Sequence, residues 1–259
     1  MKLNTIYNED CLKTMKRMQD CFVDMIITSP PYDDLRNYQG YNFNFKKIAN
    51  ELYRILKSGS ILVWVVGDAT INGSETGTSF KQALYFKQIG FNLHDTMIWN
   101  KTNPMPQIQH NRYSQTFEYM FILSKGKIKT FNPILINSKN SGQHYSYTAK
   151  HPKENSQRIK KDFYINNKKR LYNLWNMAVD KTKIKHPAKF PVQLAKRHIL
   201  SWSNENDIIY DCFIGSGTSA VASLILNRKF IGSEVSKEYT ETANKRLIKY
   251  ISQKNLFYD

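Results

Sequence analysis

The stretch DIIYDCFIGSGTSA, Asp207 to Ala220, decides the fold. Asp207–Asp211 reads as a buried strand, Gly215 and Gly217 as a tight turn, and Thr218 to Asn227 as a helix. Glycines at that place let the chain turn within a few residues and let a ligand approach the backbone closely. Glu234 stands 19 residues beyond Gly215, at the end of the next strand pattern, RKFIGSE. A carboxylate there can accept hydrogen bonds from both hydroxyls of a ribose. The turn has no third glycine and no Gly-Lys-Ser/Thr phosphate grip, which excludes a P-loop. Asp211 suits an ammonium better than a pyrophosphate. The loop alone leaves a dinucleotide and S-adenosylmethionine (SAM) both open, and Asp211 tilts the choice towards SAM.

The same rhythm recurs outward from this stretch. CFVDMIIT (21–28) is a nearly continuous apolar run, as a parallel strand covered on both faces requires. Phe45, Ile48, Ala49, Leu52, Ile55 and Leu56 recur at helical spacing, with Lys57-Ser58-Gly59 as a basic last turn and glycine stop. SILVWVVGD (60–68) reads as a strand and 79–89 as a helix. FNLHDTMIWNK (91–101) and FEYMFILSK (117–125) read as two strands at one edge. A helix over about 187–200 precedes the glycine loop, and a last one spans Lys237–Ser252. This alternation predicts an α/β fold with a doubly wound, mostly parallel, Rossmann-like sheet. The pattern lapses over about 129–185, where 13 Lys and Arg face three acidic residues. That segment reads as a basic insertion between two halves of one core, 1–128 and 186–259. Trp175 reads as a core residue of the inserted module.

A chain of 259 residues fits one large α/β domain carrying such an insertion. Its 38 Lys and Arg against 21 Asp and Glu leave a net charge of +17. That excess favours a polyanionic partner, nucleic acid above all. An AT-rich genome also enriches Lys, Asn and Ile, so charge supports this reading without carrying it. No apolar run has membrane-spanning length, and neither a signal peptide nor a wide-faced basic amphipathic helix is expected. Cys11, Cys21 and Cys212 show no CxxC spacing. Neither a disulfide framework nor a zinc knuckle follows, and a reducing cytoplasm is the expected compartment. The six histidines show no metal-ligand pattern.

Near the start, DMIITSPPYDDLRNY (Asp24–Tyr38) runs an apolar strand straight into two prolines. Neither can donate to a sheet ladder. Pro-Pro freezes the backbone so that its carbonyls have a fixed aim, and Tyr32 sets an aromatic ring beside them.

Read together, Ser29-Pro30-Pro31-Tyr32 and Asp211-Cys212-Phe213-Ile214-Gly215-Ser216-Gly217 resemble the catalytic and cofactor motifs of DNA amino-methyltransferases. Their order resembles that family's permuted β group. Asn8-Glu9-Asp10-Cys11 resembles the segment holding the adenine of SAM, and His186 to Pro191 the stretch that closes over its methionine. Trp99–Pro104 and Arg112–Glu118 resemble later core strands and their loops. The likeness covers nearly all of the chain outside 129–185, and that insertion falls where the family carries target recognition. It implies SAM as cofactor, held by Asp10, Cys11, Lys189, Asp211, Phe213, Gly215, Gly217, Thr218, Ser219 and Glu234. It implies Ser29, Pro30, Pro31 and Tyr32 as the catalytic set. The permutation has a physical form, since LNTIYNED (3–10) can supply the strand missing after the last helix.

A methyl group on a sulfonium is already activated, so such chemistry needs positioning more than acid–base power. The acceptor is the difficulty, because an exocyclic amine conjugated with its ring is a poor nucleophile. Ser29 Oγ and the Pro30 carbonyl are the candidates to accept from that amine, and Tyr32 to stack on a base that has left the duplex. A covalent route through attack on cytosine C6 would need a reactive thiol, and no Pro-Cys pair exists. In the family, Ser before Pro-Pro leans to N4 of cytosine and Asp there to N6 of adenine. Cytosine is therefore preferred, with adenine the alternative. DNA contacts are expected from Arg36 and from Arg158, Lys160, Lys161, Lys168, Lys169 and Arg170. The lysines suit phosphates, and Arg158 and Arg170 suit guanine edges. Double-stranded DNA is the expected partner; the family adds a cognate restriction endonuclease and a homodimer. Rival functions are an NAD-type oxidoreductase, a non-catalytic nucleic-acid-binding module and an RNA-directed enzyme.

Overall fold

The computed structural model describes residues 1–31, 43–104, 111–150, 158–180 and 190–255. The chain opens with β1 (Thr5–Tyr7), α1 (Cys11–Lys16), β2 (Val23–Thr28), α2 (Phe45–Ile55) and β3 (Leu56–Val66). A small hairpin, β4 (Thr70–Ile71) and β5 (Ser74–Glu75), leads to α3 (Thr78–Gln88), β6 (Asn92–Lys101) and β7 (Phe117–Ser124). Four short strands follow: β8 (Leu135–Asn137), β9 (His144–Lys150), β10 (Arg158–Tyr164) and β11 (Lys168–Arg170). The chain ends with β12 (Leu174–Met177), α4 (Val192–Trp202), β13 (Ile208–Asp211), α5 (Thr218–Ile225), β14 (Lys229–Ser233) and α6 (Lys237–Asn255).

Eight of these strands form one sheet in the order β1-β14-β13-β2-β3-β7-β6-β12. All neighbours run parallel except β7, which is antiparallel to both β3 and β6. The N-terminal strand pairs with β14 in parallel, Ile6 opposite Gly232, and so occupies the place expected for it beyond the last crossover. Adjacent residues of β14 point to opposite sides of the sheet. Ile231 joins a core with Met15, Ile48, Leu52, Trp64 and Phe86 from α1, α2, α3 and β3. Phe230 joins a second core with Val221, Leu224, Ala243 and Leu247 from α5 and α6. Helices therefore cover both faces, which is why β2 is apolar almost throughout.

Three boundaries differ from expectation. Helix α2 ends at Ile55 rather than at Gly59, and β3 begins at once with Leu56. Gly59, at φ +86°, instead sits in a local irregularity of the β2–β3 pairing, whose partners jump from Val23–Leu56 to Met25–Ile61. At the other edge, β6 is not outermost. β12 adds to it in parallel, placing Trp175 opposite Trp99, whose Nε1 donates to the Met177 carbonyl at 3.0 Å. Trp175 is buried, but in this sheet rather than in an inserted module; its ring lies 4.5 Å from that of His198 on α4.

The chain forms two compact units, one of residues 1–132 with 173–259 and a smaller one of Pro133–Tyr172. The smaller unit holds two antiparallel ribbons, β8 with β11 and β9 with β10. Among the described residues, no helix is long and apolar enough to cross a membrane.

Candidate active site

The strand order reverses between β13 and β2, which run parallel. The crossover through α5 carries β13 to β14 on one side, and that through α2 carries β2 to β3 on the other. Open α/β sheets bind ligands beyond the carboxyl ends of their strands at such a switch point. Ser29, Pro30 and Pro31 leave β2 there, Asp211 to Ser216 leave β13, and Glu234 leaves β14; all of them line one cleft. About 710 Å³ of space free of protein atoms lies within and before it, part of it open solvent.

Asp211 is the charge at the bottom of this cleft, only 3% exposed. Thr28 Oγ1 donates to its Oδ1 at 2.7 Å, as does the Phe213 N–H at 3.1 Å, and Ser219 Oγ donates to Oδ2 at 2.5 Å. Burial pushes the Asp211 carboxyl up to about 6, against the pull of these donors. All three donors are neutral. A buried carboxylate that opens into a cleft with no cation beside it among the described residues is chemically suited to a ligand ammonium.

Glu234 closes the glycine loop. Its Oε2 accepts from the Gly215 N–H at 3.0 Å and its Oε1 from the Ser236 N–H at 2.8 Å. Burial raises this carboxyl above its ordinary value, with the two N–H groups opposing. Each oxygen keeps a second lone pair, so the side chain can still accept from ligand hydroxyls. Asn8 Nδ2 donates to the carbonyls of Glu234 and Val235 at 2.8 and 3.1 Å, which ties the N-terminal segment to the same corner. Asp211 and Glu234, with the backbone of Gly215 between them, thus fit the two polar ends of SAM, its amine and its ribose.

The expected residues separate by role. Ser29, Pro30, Pro31, Cys11, Asp211, Phe213, Gly215, Thr218 and Glu234 line the cleft. Asp10 does not; its carboxylate caps α1 by accepting from the Leu12 N–H at 2.7 Å, and so positions Cys11 behind it. Ser219 is buried and acts on Asp211 rather than on the cleft. Gly217 is also outside the lining. It opens α5 at φ +80°, and a Cβ there would stand 3.0 Å from that of Ala243 on α6, so it serves helix packing. Tyr32, Arg36 and Lys189 lie outside the described residues, as does the side chain of Arg158. Lys160, Lys161, Lys168 and Arg170 are exposed in the smaller unit, and Lys169 is half-buried.

The cleft also uses Glu9, Phe190, Ile214, Ser216, Ser233 and Val235, which were not singled out as ligand-holding residues. Glu9, Phe190, Ile214 and Ser216 lie inside the motifs quoted above, and Ser233 and Val235 flank Glu234; that was the available signal. Thr28 had none, since nothing in a strand's last residue announces a partner 183 positions away. Among the described residues, no group of three His, Cys, Asp or Glu could hold a metal ion. Cys11 and Cys212 are both buried at the cleft, and burial raises the Cys212 thiol well above its ordinary value. A thiol held protonated is a poor nucleophile.

Comparison with known proteins gives the same picture. The family model for DNA methylases of the N6/N4 type matches residues 23–245. The orphan methyltransferase M.BamHII of Bacillus amyloliquefaciens is 50% identical over 248 residues, which are 90% of this chain and 91% of that one. The crystal structure of the M1.HpyAVI–SAM complex superposes with a TM-score of 0.63 at 28% identity, over 93% of this chain and 98% of the other. The PvuII DNA methyltransferase, named cytosine-N4-specific, gives 0.70 at 18% identity over 93% and 84%, a likeness of fold alone. With a family model covering most of its length and a relative half identical along nine-tenths of it, this chain belongs to the DNA methylase family.

Proposed function

We propose that the protein transfers a methyl group from SAM to the N4 amine of cytosine in double-stranded DNA. The observation that carries this is the meeting of Ser29-Pro30-Pro31 with the buried Asp211 in one cleft. Asp211 would take the ammonium of SAM and Glu234 its ribose. Cys11, Phe213, Ile214 and Val235 supply apolar lining between and around them. Lys189, outside the described residues, is proposed as a further cofactor contact on the family resemblance.

When bound, SAM supplies a methyl already activated on a sulfonium. What the chain supplies is placement of the acceptor. Ser29 stands at the end of β2, half-buried, where its Oγ can accept from an exocyclic NH₂. The Pro30 carbonyl is the second acceptor, with Pro31 restricting the backbone behind it. Two acceptors on the amine's hydrogens draw its lone pair out of conjugation with the ring. Tyr32 is proposed to stack on the extruded base, an arrangement that a base still paired in the duplex cannot reach. The proton lost from nitrogen leaves through one of these acceptors to water.

The 129–185 segment is proposed to recognise the target, its core being the Pro133–Tyr172 unit. There Lys139, Lys168, Lys169 and Arg170 line one hollow with Phe163 and Tyr164. Four cations around one hollow suit DNA phosphates. Lys160, Lys161, Arg158 and Arg36 complete the proposed DNA contacts. The half-identical relative is named an orphan methyltransferase, which favours action without a cognate restriction endonuclease. A homodimer is proposed on the family resemblance, to be read by sedimentation.

The test is a nucleoside analysis. The protein is incubated with SAM and unmethylated genomic DNA, the DNA is digested, and the nucleosides are separated by mass spectrometry. N4-methylcytosine is the expected product. N6-methyladenine would keep the chemistry and overturn the choice of base. Neither product, from protein that binds both SAM and DNA, would overturn the reading.

A further inference from the structure

The β9–β10 ribbon is exposed on both faces, from His144 to Thr148 on one strand and from Lys160 to Tyr164 on the other. A lone two-stranded ribbon with no covered face is marginal in water and gains its place by docking on something. Its register sorts the side chains. Tyr145 pairs with Phe163 and Tyr147 with Lys161, so these share one face, where the Phe163 ring lies 6.1 Å from each of the two tyrosines. His144 pairs with Tyr164, Ser146 with Asp162 and Thr148 with Lys160, so these six share the other. The first face is mainly aromatic; the second is made of hydrogen-bonding groups.

Asp162 is the anomaly on the polar face. Residues 133–172 hold nine Lys and Arg and two acidic residues, and Asp162 is the one acid among the described residues. A carboxylate at the centre of a basic, exposed ribbon opposes the approach of a polyanion. Its ion pairs do not explain it, because His144 Nε2 at 3.4 Å and Lys160 Nζ at 3.7 Å are exposed partners and such pairs stabilise little. A carboxylate is favourable against DNA in one setting, where it accepts from a base amino group in the major groove. That groove, roughly 12 Å wide, admits a two-stranded ribbon. A guanine presents two acceptors there and its cytosine a donor, the complement of a lysine beside an aspartate.

We infer that the β9–β10 ribbon enters the major groove polar face first, and that Asp162 and Lys160 specify a G·C pair of the recognition sequence, Asp162 by accepting from the cytosine amine. This rests on the DNA-methyltransferase reading and adds to it the residues that select the site. Lys161, on the aromatic face, then contributes charge without sequence information.

The experiment maps methylated sites on unmethylated genomic DNA treated with the wild-type protein and with Asp162→Ala, Lys160→Ala and Lys161→Ala. Asp162→Ala is expected to lose about ten- to a hundredfold discrimination at one G·C position while the other positions stay selective. Lys160→Ala should relax the same position. Lys161→Ala should weaken all sites alike and lower the salt dependence of binding by about one ion. Should Asp162→Ala bind DNA yet methylate nothing, competition between the cognate duplex and singly substituted duplexes reads the same discrimination. Retention of the full recognition sequence by both Asp162→Ala and Lys160→Ala would overturn the inference. Failure of the wild-type protein to methylate DNA is a different result, which removes the underlying reading and this one with it.

Discussion

Thr28 Oγ1 donates to Asp211 Oδ1 at 2.7 Å, across 183 residues of chain. Thr28 is the last residue of the strand that feeds Ser29-Pro30-Pro31, and Asp211 is the last of the strand that feeds the glycine loop. One side-chain hydrogen bond between neighbouring parallel strands thus fastens the Ser-Pro-Pro turn to the glycine loop. The bond is fully buried, so water cannot replace either partner.

Removing that donor should therefore weaken the cofactor site without touching the catalytic turn's chemistry. Thr28→Val is expected to lower SAM affinity by about ten- to a hundredfold, the range for a hydrogen bond to a charged group. Thr28→Ser should restore most of it. Calorimetric titration of both variants checks this, and equal affinities for Val and wild type would assign Thr28 to packing alone.

The pH dependence of SAM binding follows from Asp211. Its carboxyl, pushed up to about 6 by burial, pairs with an ammonium only when ionised. Near pH 7 affinity should be highest, and above about 7.7–8.0, the ordinary value of an α-amine, the ligand's ammonium loses its proton and affinity should fall again. Below about 6 the site must release a proton as it binds, so affinity should fall by up to about tenfold per pH unit. Asp211→Asn should bind weakly with no such slope, and titrations between pH 5 and pH 8 distinguish the two cases.

Two glycines should fail in different ways. Gly217→Ala forces a side chain into the left-handed region at φ +80° and against Ala243. It should cost about 1–3 kcal/mol of stability, with SAM affinity of the folded protein nearly unchanged. Gly232→Ala, in β14, would overlap Ile214, which lines the cleft. Its signature should be lost SAM affinity. Thermal unfolding beside calorimetry on each variant separates the two effects.

His198 should set part of the acid limit of stability. It is completely buried on α4 against Met120 and Trp175, its Nδ1 has no hydrogen-bond partner among the described residues, and burial lowers its basicity to about 3. Folding favours the neutral ring, so its contribution is complete above the unfolded value of about 6.5 and is lost as pH falls through that value towards 3. Asp211 acts in the opposite sense, because its raised carboxyl gains from protonation over part of the same range. Comparison of His198→Phe with wild type isolates the histidine. The variant should resist acid unfolding by roughly 1.4 kcal/mol more for each pH unit below about 6.5, down to about 3. Identical acid midpoints would show that the ring gains a partner on protonation.

Much of the fold was legible along the chain because each signal was local. The apolar run ending at Thr28, the stripe Ile48-Ala49-Leu52-Ile55 and the turn Gly215–Gly217 announce strand, helix and crossover within a dozen residues each. The edge strand was not legible. Leu174–Met177 is four residues long, lies beside a basic segment and becomes a strand only because β6 offers it a free parallel edge. Gly59 read as a helix stop for a similar reason: a glycine at positive φ serves a cap or a strand irregularity equally well, and the pairing with β2 selects the second.

Residue types along the chain set which chemistry was available: a Ser-Pro-Pro turn, a glycine loop after an acidic strand end, and a basic segment between them. The tertiary structure alone decided the division of labour. It gave Asp10 a helix to cap, Ser219 a carboxylate to hold and Gly217 a close approach to α6. It brought Glu9 and Phe190 into the cleft, and it joined Thr28 to Asp211. The physical reason is that residue type sets what a group can donate, accept or fill. Whether it meets ligand or protein depends on which distant strand the parallel sheet places beside it.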